Sequence, residues 1–236
     1  MENKIVLITG GSRGIGLATA KEFAGLGAKV IILHKDESVT AGGFAKQIIA
    51  DVADETMVKN AIDSVVAEFG RIDILVNNAG IVFDKEWDER TVADWRRTLD
   101  VNLIGTWLVS KYVGEMMMKQ KFGKIVNLSS TSGLNDFSPY AADYNASKAG
   151  VISLTKSLAI QFAPYVNVNA VAPGWVDTDM NKDLSADYMA KEMEKLCLKR
   201  IAKSEEIANI IRFLASDDAS YINGEIIVAD GGRLFG

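Results

Sequence analysis

Six short, mainly apolar runs with helix-periodic stretches between them constrain this chain more than any other feature. The runs are residues 4–9 (KIVLIT), 29–33 (KVIIL), 72–76 (IDILV), 124–128 (KIVNL), 166–171 (VNVNAV) and 225–228 (EIIV). The first is β-branched and apolar on both parities, the pattern of a strand buried on both faces. Residues 15–26 follow with helical spacing, and Gly27 is a natural stop. Further helical patterns cover residues 56–68, 91–118, 142–162 and 205–214. Strand and helix alternating throughout predict βαβ units: a doubly wound parallel sheet with helices on both faces, an α/β/α sandwich. No linker, repeat or low-complexity stretch interrupts the pattern, so residues 1–236 are expected to form a single domain. The least regular part, 174–200, follows a strand on the side where such sheets bind ligands.

Composition narrows the chemistry. A net charge of −5 argues against a nucleic-acid binder. Cys197 is the only cysteine and His34 the only histidine, which excludes an intrachain disulfide and clustered Cys or His metal sites; no metal is expected. The opening MENKIVLITGG has too short an apolar run for a signal peptide, and no run nears the ~18 residues that span a bilayer. The expected setting is cytoplasmic, away from the membrane.

The first strand runs into TGGSRGIG, residues 9–16. Glycines at a strand–helix turn permit a tight bend and let backbone N–H groups approach a pyrophosphate. The spacing is not G-x-G-x-x-G, and a plain strand–helix turn could read the same way. Other motifs accompany it: DVAD from Asp51, NNAG (77–80), DVNLIGT around Asn102, NLSS ending at Ser130, YNASK with Tyr144 and Lys148, and PGWVDTDM from Pro173. Together these resemble the short-chain dehydrogenase/reductase family along the whole chain, whose cofactor loop is T-G-x-x-x-G-x-G on a Rossmann-type fold.

The resemblance implies an NAD(P)(H)-dependent oxidoreductase. It implies that Gly10, Ser12, Arg13, Gly14, Ile15 and Gly16 hold the cofactor's phosphates. Asp51 and Val52 would meet the adenine, Asn78, Ala79 and Gly80 the adenosine side, and Pro173, Gly174, Val176 and Thr178 the nicotinamide. Tyr144 and Lys148 would touch the cofactor as well as catalyse, and Asn102 would hold a helix kink and a water beside Lys148.

Residue chemistry leads to the same tyrosine. Reduction of a ketone leaves an alkoxide that needs a proton. His34 is at the adenosine end, and no carboxylate lies within the motifs at the sheet's carboxyl edge. A phenol titrates near pH ~10, and a nearby ammonium lowers that value. Lys148 follows Tyr144 by one helical turn. A strand-end serine can hold the substrate oxygen. Ser129 and Ser130 point to opposite faces of the strand. The family's Ser-to-Tyr spacing and the following TSG favour Ser130, with Ser129 structural. Tyr140 shares the helical phase but follows Pro139, at or before the helix start, and is expected to line the pocket or pack beneath the loop.

For cofactor choice, the acid usual at the end of the second strand is replaced by His34, followed by Lys35, with Arg13 in the loop. Two cations suit a 2′-phosphate, so NADP is expected over NAD. Asp36 is the departure: a one-residue slip would bring a carboxylate to the ribose. The 35–37 segment could also be a plain solvated turn. Met116, Met117 and Met118 read as core filler. Trp87, Trp95 and Trp107 read as packing residues, Trp175 as a residue that could touch substrate, and Cys197 as inert.

Within the family the chain is most similar to 3-oxoacyl-acyl-carrier-protein reductases, which implies a 3-oxoacyl thioester substrate. An NAD(H)-dependent sugar or polyol dehydrogenase is the alternative, and a non-enzymic dinucleotide sensor is disfavoured because the whole catalytic set is present. Family resemblance implies a homotetramer through helices 102–118 and 142–162 and the carboxyl-terminal GEIIVADGG.

Overall fold

The structure is a computed structural model that describes residues 1–36, 42–181 and 184–233. Glu37, residues 182–183 of the 174–200 segment and residues 234–236 lie outside the described residues. Seven parallel strands form one sheet: β1 (Ile5–Thr9), β2 (Lys29–His34), β3 (Lys46–Ile49), β4 (Ile74–Asn77), β5 (Gly123–Leu128), β6 (Val166–Pro173) and β7 (Ile226–Ala229). Their order is β3-β2-β1-β4-β5-β6-β7. The chain winds outward from β1 to β3, then returns to lay β4 on the other side of β1. That reversal opens a crevice beyond the carboxyl ends of β1 and β4, where ligands bind in open α/β sheets.

The both-parity pattern of β1 has its expected consequence. Ile5 and Leu7 enter one core with Val58, Ile62, Val113 and Met117. Val6 and Ile8 enter the other with Phe23, Ile207 and Ile211. Helices α1 (Gly14–Gly25) and α7 (Ser204–Leu214) therefore cover one face of the sheet. The helices α2 (Glu55–Phe69), α4 (Gly105–Gln120) and α5 (Ala142–Gln161) cover the other.

Three elements depart from expectation. β3 was not expected, because KQII offers only two apolar residues and sits at the sheet edge, part-exposed. The helical pattern over 91–118 breaks into α3 (Val92–Leu99), a π-helical turn (Asp100–Ile104) and α4. The 174–200 segment contains a further helix, α6 (Ala186–Glu194), capped by Ser185 accepting from the Tyr188 N–H at 3.2 Å.

Candidate active site

The glycine loop and the NNAG turn are built as one unit. The Thr9 hydroxyl accepts the N–H groups of Asn78 and Ala79 at 3.0 and 3.1 Å. The Asn78 amide returns bonds to the carbonyls of Thr9 and Gly10, both at 3.0 Å. The approach excludes side chains. A Cβ on Gly16 would lie 2.2 Å from the Gly10 carbonyl oxygen, and one on Gly10, at φ +66°, would lie 2.9 Å from Ala79 Cα. Gly14, also left-handed at φ +51°, faces Thr178 from the loop after β6. No side chain caps α1 at Arg13, so its first N–H groups face the crevice without a local acceptor. A bare backbone cradle at a helix N-terminus fits a dinucleotide pyrophosphate.

The other residues expected to meet the cofactor are placed by their own local contacts. Ser12 is half-buried, and Ile15 packs against the α1/α7 core. Val52 is buried, directly against Gly105. Val176 is also buried, and its carbonyl accepts the Asn181 amide at 2.7 Å. The Gly174 N–H donates to Ala229 at 3.0 Å, fixing the end of β6 (at Pro173) against β7.

At the adenosine end, His34 closes β2 at 5% exposure, and neither ring nitrogen has a hydrogen-bond partner. Burial lowers its pKa, with Asp36 opposing, so the imidazole is neutral near pH 7. Lys35 is exposed on the next residue. Asp51 accepts Arg97 at 2.9 Å and the Ala53 N–H at 3.0 Å. Burial opposes ionisation of Asp51, but these bonds and the charges of Arg97 and Lys35 hold its carboxyl below the usual range. Arg97 was not singled out from the sequence: it and Asp51 are 46 residues apart, and no local spacing reveals the pair.

Tyr144, Ser130, Lys148 and Asn102 converge beyond the ends of β4 and β5. The Ser130 hydroxyl lies close enough to the Tyr144 phenol to influence its ionisation. Ser129 points the other way, its hydroxyl donating to the Lys148 carbonyl at 2.9 Å. Lys148 Nζ lies 5.6 Å from the Tyr144 ring centre and donates to the Leu128 carbonyl at 2.8 Å. Burial drops the Lys148 pKa to about 8. Burial also pushes the Tyr144 phenol above its ordinary value, with neighbouring Ser130 opposing. The lowering expected from the ammonium is therefore not the net effect in the free protein.

Asn102 is fully buried in the π-helical turn. It accepts the Ile81 N–H at 2.8 Å and donates to the Ile81 carbonyl at 2.9 Å and to Ser147 at 3.0 Å. A Cβ on Gly80 would sit 3.4 Å from Asn102 Oδ1 and 3.5 Å from Lys148 Nζ, so the NNAG turn passes beside both groups.

The loop after β6, α6 and the 136 segment are tied together by charged groups. Trp175 donates to Glu192 of α6 at 3.2 Å and meets Tyr188 edge-on at 6.0 Å. Arg233 joins Glu192 at 3.2 Å to Asp136 at 2.8 Å. Glu192 and Arg233 carried no motif and were not foreseen. Tyr140 precedes α5 and is 48% exposed, beside Asp84, Lys85 and Glu89. Trp87, Trp95 and Trp107, expected as packing residues, join neither core: they are 81%, 36% and 43% exposed. Met117 is core, with Met116 and Met118 against it. Cys197 is exposed. No helix among the described residues is long and apolar enough to cross a membrane, and no metal-binding cluster occurs among them.

A family profile described as enoyl-(acyl carrier protein) reductase matches residues 10–233. A 3-oxoacyl-[acyl-carrier-protein] reductase of Synechocystis sp. is 41% identical, over 98% of this chain and 97% of its own. Those of Thermotoga maritima and Escherichia coli are each 40% identical, over 99% and 98% of this chain and 99% and 97% of their own. Among solved structures, the aldohexose dehydrogenase of Thermoplasma acidophilum matches with TM-score 0.91 and 35% identity, over 98% of this chain and 94% of that one.

Proposed function

The chain belongs to the short-chain dehydrogenase/reductase family and is a nicotinamide-dinucleotide-dependent oxidoreductase; from that premise we propose that it reduces a 3-oxoacyl thioester with NADPH, using Tyr144 as the proton donor. The observation that carries this reading is the convergence of Tyr144, Ser130 and Lys148 beside the glycine cradle.

Each residue has a defined task. The bound dinucleotide supplies the hydride. Ser130 donates a hydrogen bond to the substrate carbonyl oxygen as negative charge grows there. Tyr144 gives that oxygen its proton. A phenol held above its ordinary pKa is fully protonated near neutrality, the state a donor in the reductive direction requires. Lys148 is mostly ammonium at pH 7 and spends one of its three N–H groups on Leu128, leaving two for the cofactor and the phenolate left behind. The Leu128 bond fixes where that ammonium sits, and Asn102 is anchored close by through Ile81 and Ser147. The glycine cradle would hold the pyrophosphate.

NADP fits the adenosine end best. His34 is neutral where a carboxylate would repel a 2′-phosphate, and exposed Lys35 and Arg13 supply positive charge. The acyl thioester follows from the relatives' activity. The aldohexose dehydrogenase match supports a second reading, oxidation of a sugar with NAD(H). We read the chain as one catalytic unit that assembles as a cytoplasmic homotetramer.

Steady-state rates of 3-oxoacyl thioester and ketone reduction with NADPH or NADH, and of aldohexose oxidation with NADP or NAD, separate these readings. NADPH with 3-oxoacyl thioesters should give the highest kcat/KM. A dominant rate with NAD and a sugar would establish the second reading instead.

A further inference from the structure

Among the described residues, Arg90 and Asp143 form an ion pair whose two side chains are only 4% and 2% exposed. Asp143 lies in the first turn of α5, directly before Tyr144. Its Oδ1 accepts Arg90 at 2.6 Å and the Tyr144 N–H at 3.0 Å, while its Oδ2 accepts the Thr98 hydroxyl of α3 at 2.7 Å. Arg90 also donates to the carbonyl of Phe83 at 2.7 Å and to that of Tyr140. One buried guanidinium thus joins the loop after β4, the turn before α5 and α5 itself.

The local sequence explains why a clamp is needed there. Ala141, at the start of α5, has no side chain with which to cap the helix. The Asp143 carboxylate takes over, meeting the Tyr144 N–H and complementing the helix dipole. Burying two charges is unfavourable unless their geometry is nearly complete, and removing either partner leaves the other uncompensated. The planar fork of arginine reaches three acceptors at once, which a lysine ammonium on a single stem does not match. The sheet cores lie elsewhere, so this arrangement serves the start of α5.

We infer that Arg90 and Asp143 are positioning residues for the reaction: the pair fixes where Tyr144 begins α5, and with it the loops carrying Phe83 and Tyr140 at the pocket mouth. The inference rests on Tyr144 being the proton donor. A displacement of about 1 Å at a reacting group can cost about a hundredfold in rate.

The test uses the full-length enzyme with Arg90→Lys, Asp143→Asn, the double variant and Tyr144→Phe. Rates are normalised to cofactor-binding sites titrated by the fluorescence of the reduced dinucleotide, so misfolded protein drops out. Arg90→Lys and Asp143→Asn should each lower kcat per site by about ten- to a hundredfold. Cofactor affinity should not change, because the glycine cradle is on other strands. The double variant should lose no more than the worse single one, since both act through one contact. Unchanged kcat per site in both single variants, with Tyr144→Phe inactive, would overturn the inference alone. Full activity of Tyr144→Phe would overturn the proton-donor assignment, and this inference with it.

Discussion

At the residue scale the electrostatics of Lys148 decide the pH behaviour. Its proton is held with a pKa of about 8, below the ordinary lysine value near 10.4, because burial disfavours the charge. The proposed mechanism uses the ammonium, so it predicts that kcat/KM for reduction falls as pH rises through about 8. Stability moves the other way. Below about 8 both folded and unfolded states bind this proton, and the penalty for burying the charge is present in full. Between about 8 and 10.4 only the unfolded chain holds it, so this residue's contribution to stability rises with pH across that window. Denaturant titrations at several pH values should show that rise in the wild type and lose it in Lys148→Met. The glycine cradle makes a second prediction at this scale. Gly16→Ala forces a methyl to within 2.2 Å of the Gly10 carbonyl. The loop must shift, and dinucleotide affinity measured by fluorescence titration should fall by more than tenfold. Retention of wild-type affinity would mean that the pyrophosphate does not bind here.

At the scale of elements, the sequence exposes what depends on periodicity and hides what depends on partners. Six of the seven strands and the main helices were readable because short apolar runs mark the strands and spaced apolar residues mark the helices. β3 was hidden because an edge strand needs little burial and KQII provides little. The break in the 91–118 helix was invisible to periodicity, since a π-helical turn shifts the phase by a single residue and Gly105 just after it continues the helix. The active-site motifs were legible because Tyr144 and Lys148 lie one turn apart on α5. The pairings Arg97–Asp51 and Arg233–Asp136 were not, because their members meet only when distant segments pack. Asn102 connects the two levels: its side chain satisfies both backbone groups of Ile81 from within the π-helical turn. Asn102→Ala leaves those buried groups without their partner, at roughly 1–3 kcal/mol. For a chain of this size that is a fall in Tm of several degrees, readable by calorimetry.

At the scale of the whole molecule, each element expected to meet other copies carries an exposed apolar residue. Ile104 at the end of the π-helical turn and Trp107 in the first turn of α4 are 42% and 43% exposed, Ile160 of α5 is 79% exposed, and Val228 of β7 is 48% exposed. Light scattering after size exclusion should give four chains per particle, and Ile160→Lys should shift the population to dimers or monomers. A monomeric wild type would remove the tetramer from this account. The activity itself depends on one proton. Turnover of a 3-oxoacyl thioester with NADPH, compared between the wild type and Tyr144→Phe at pH 7, tests that claim most directly. The account predicts a loss of at least a hundredfold in kcat, within the range of general acid catalysis, with NADPH affinity unchanged. Retention of more than a tenth of the wild-type rate would contradict it.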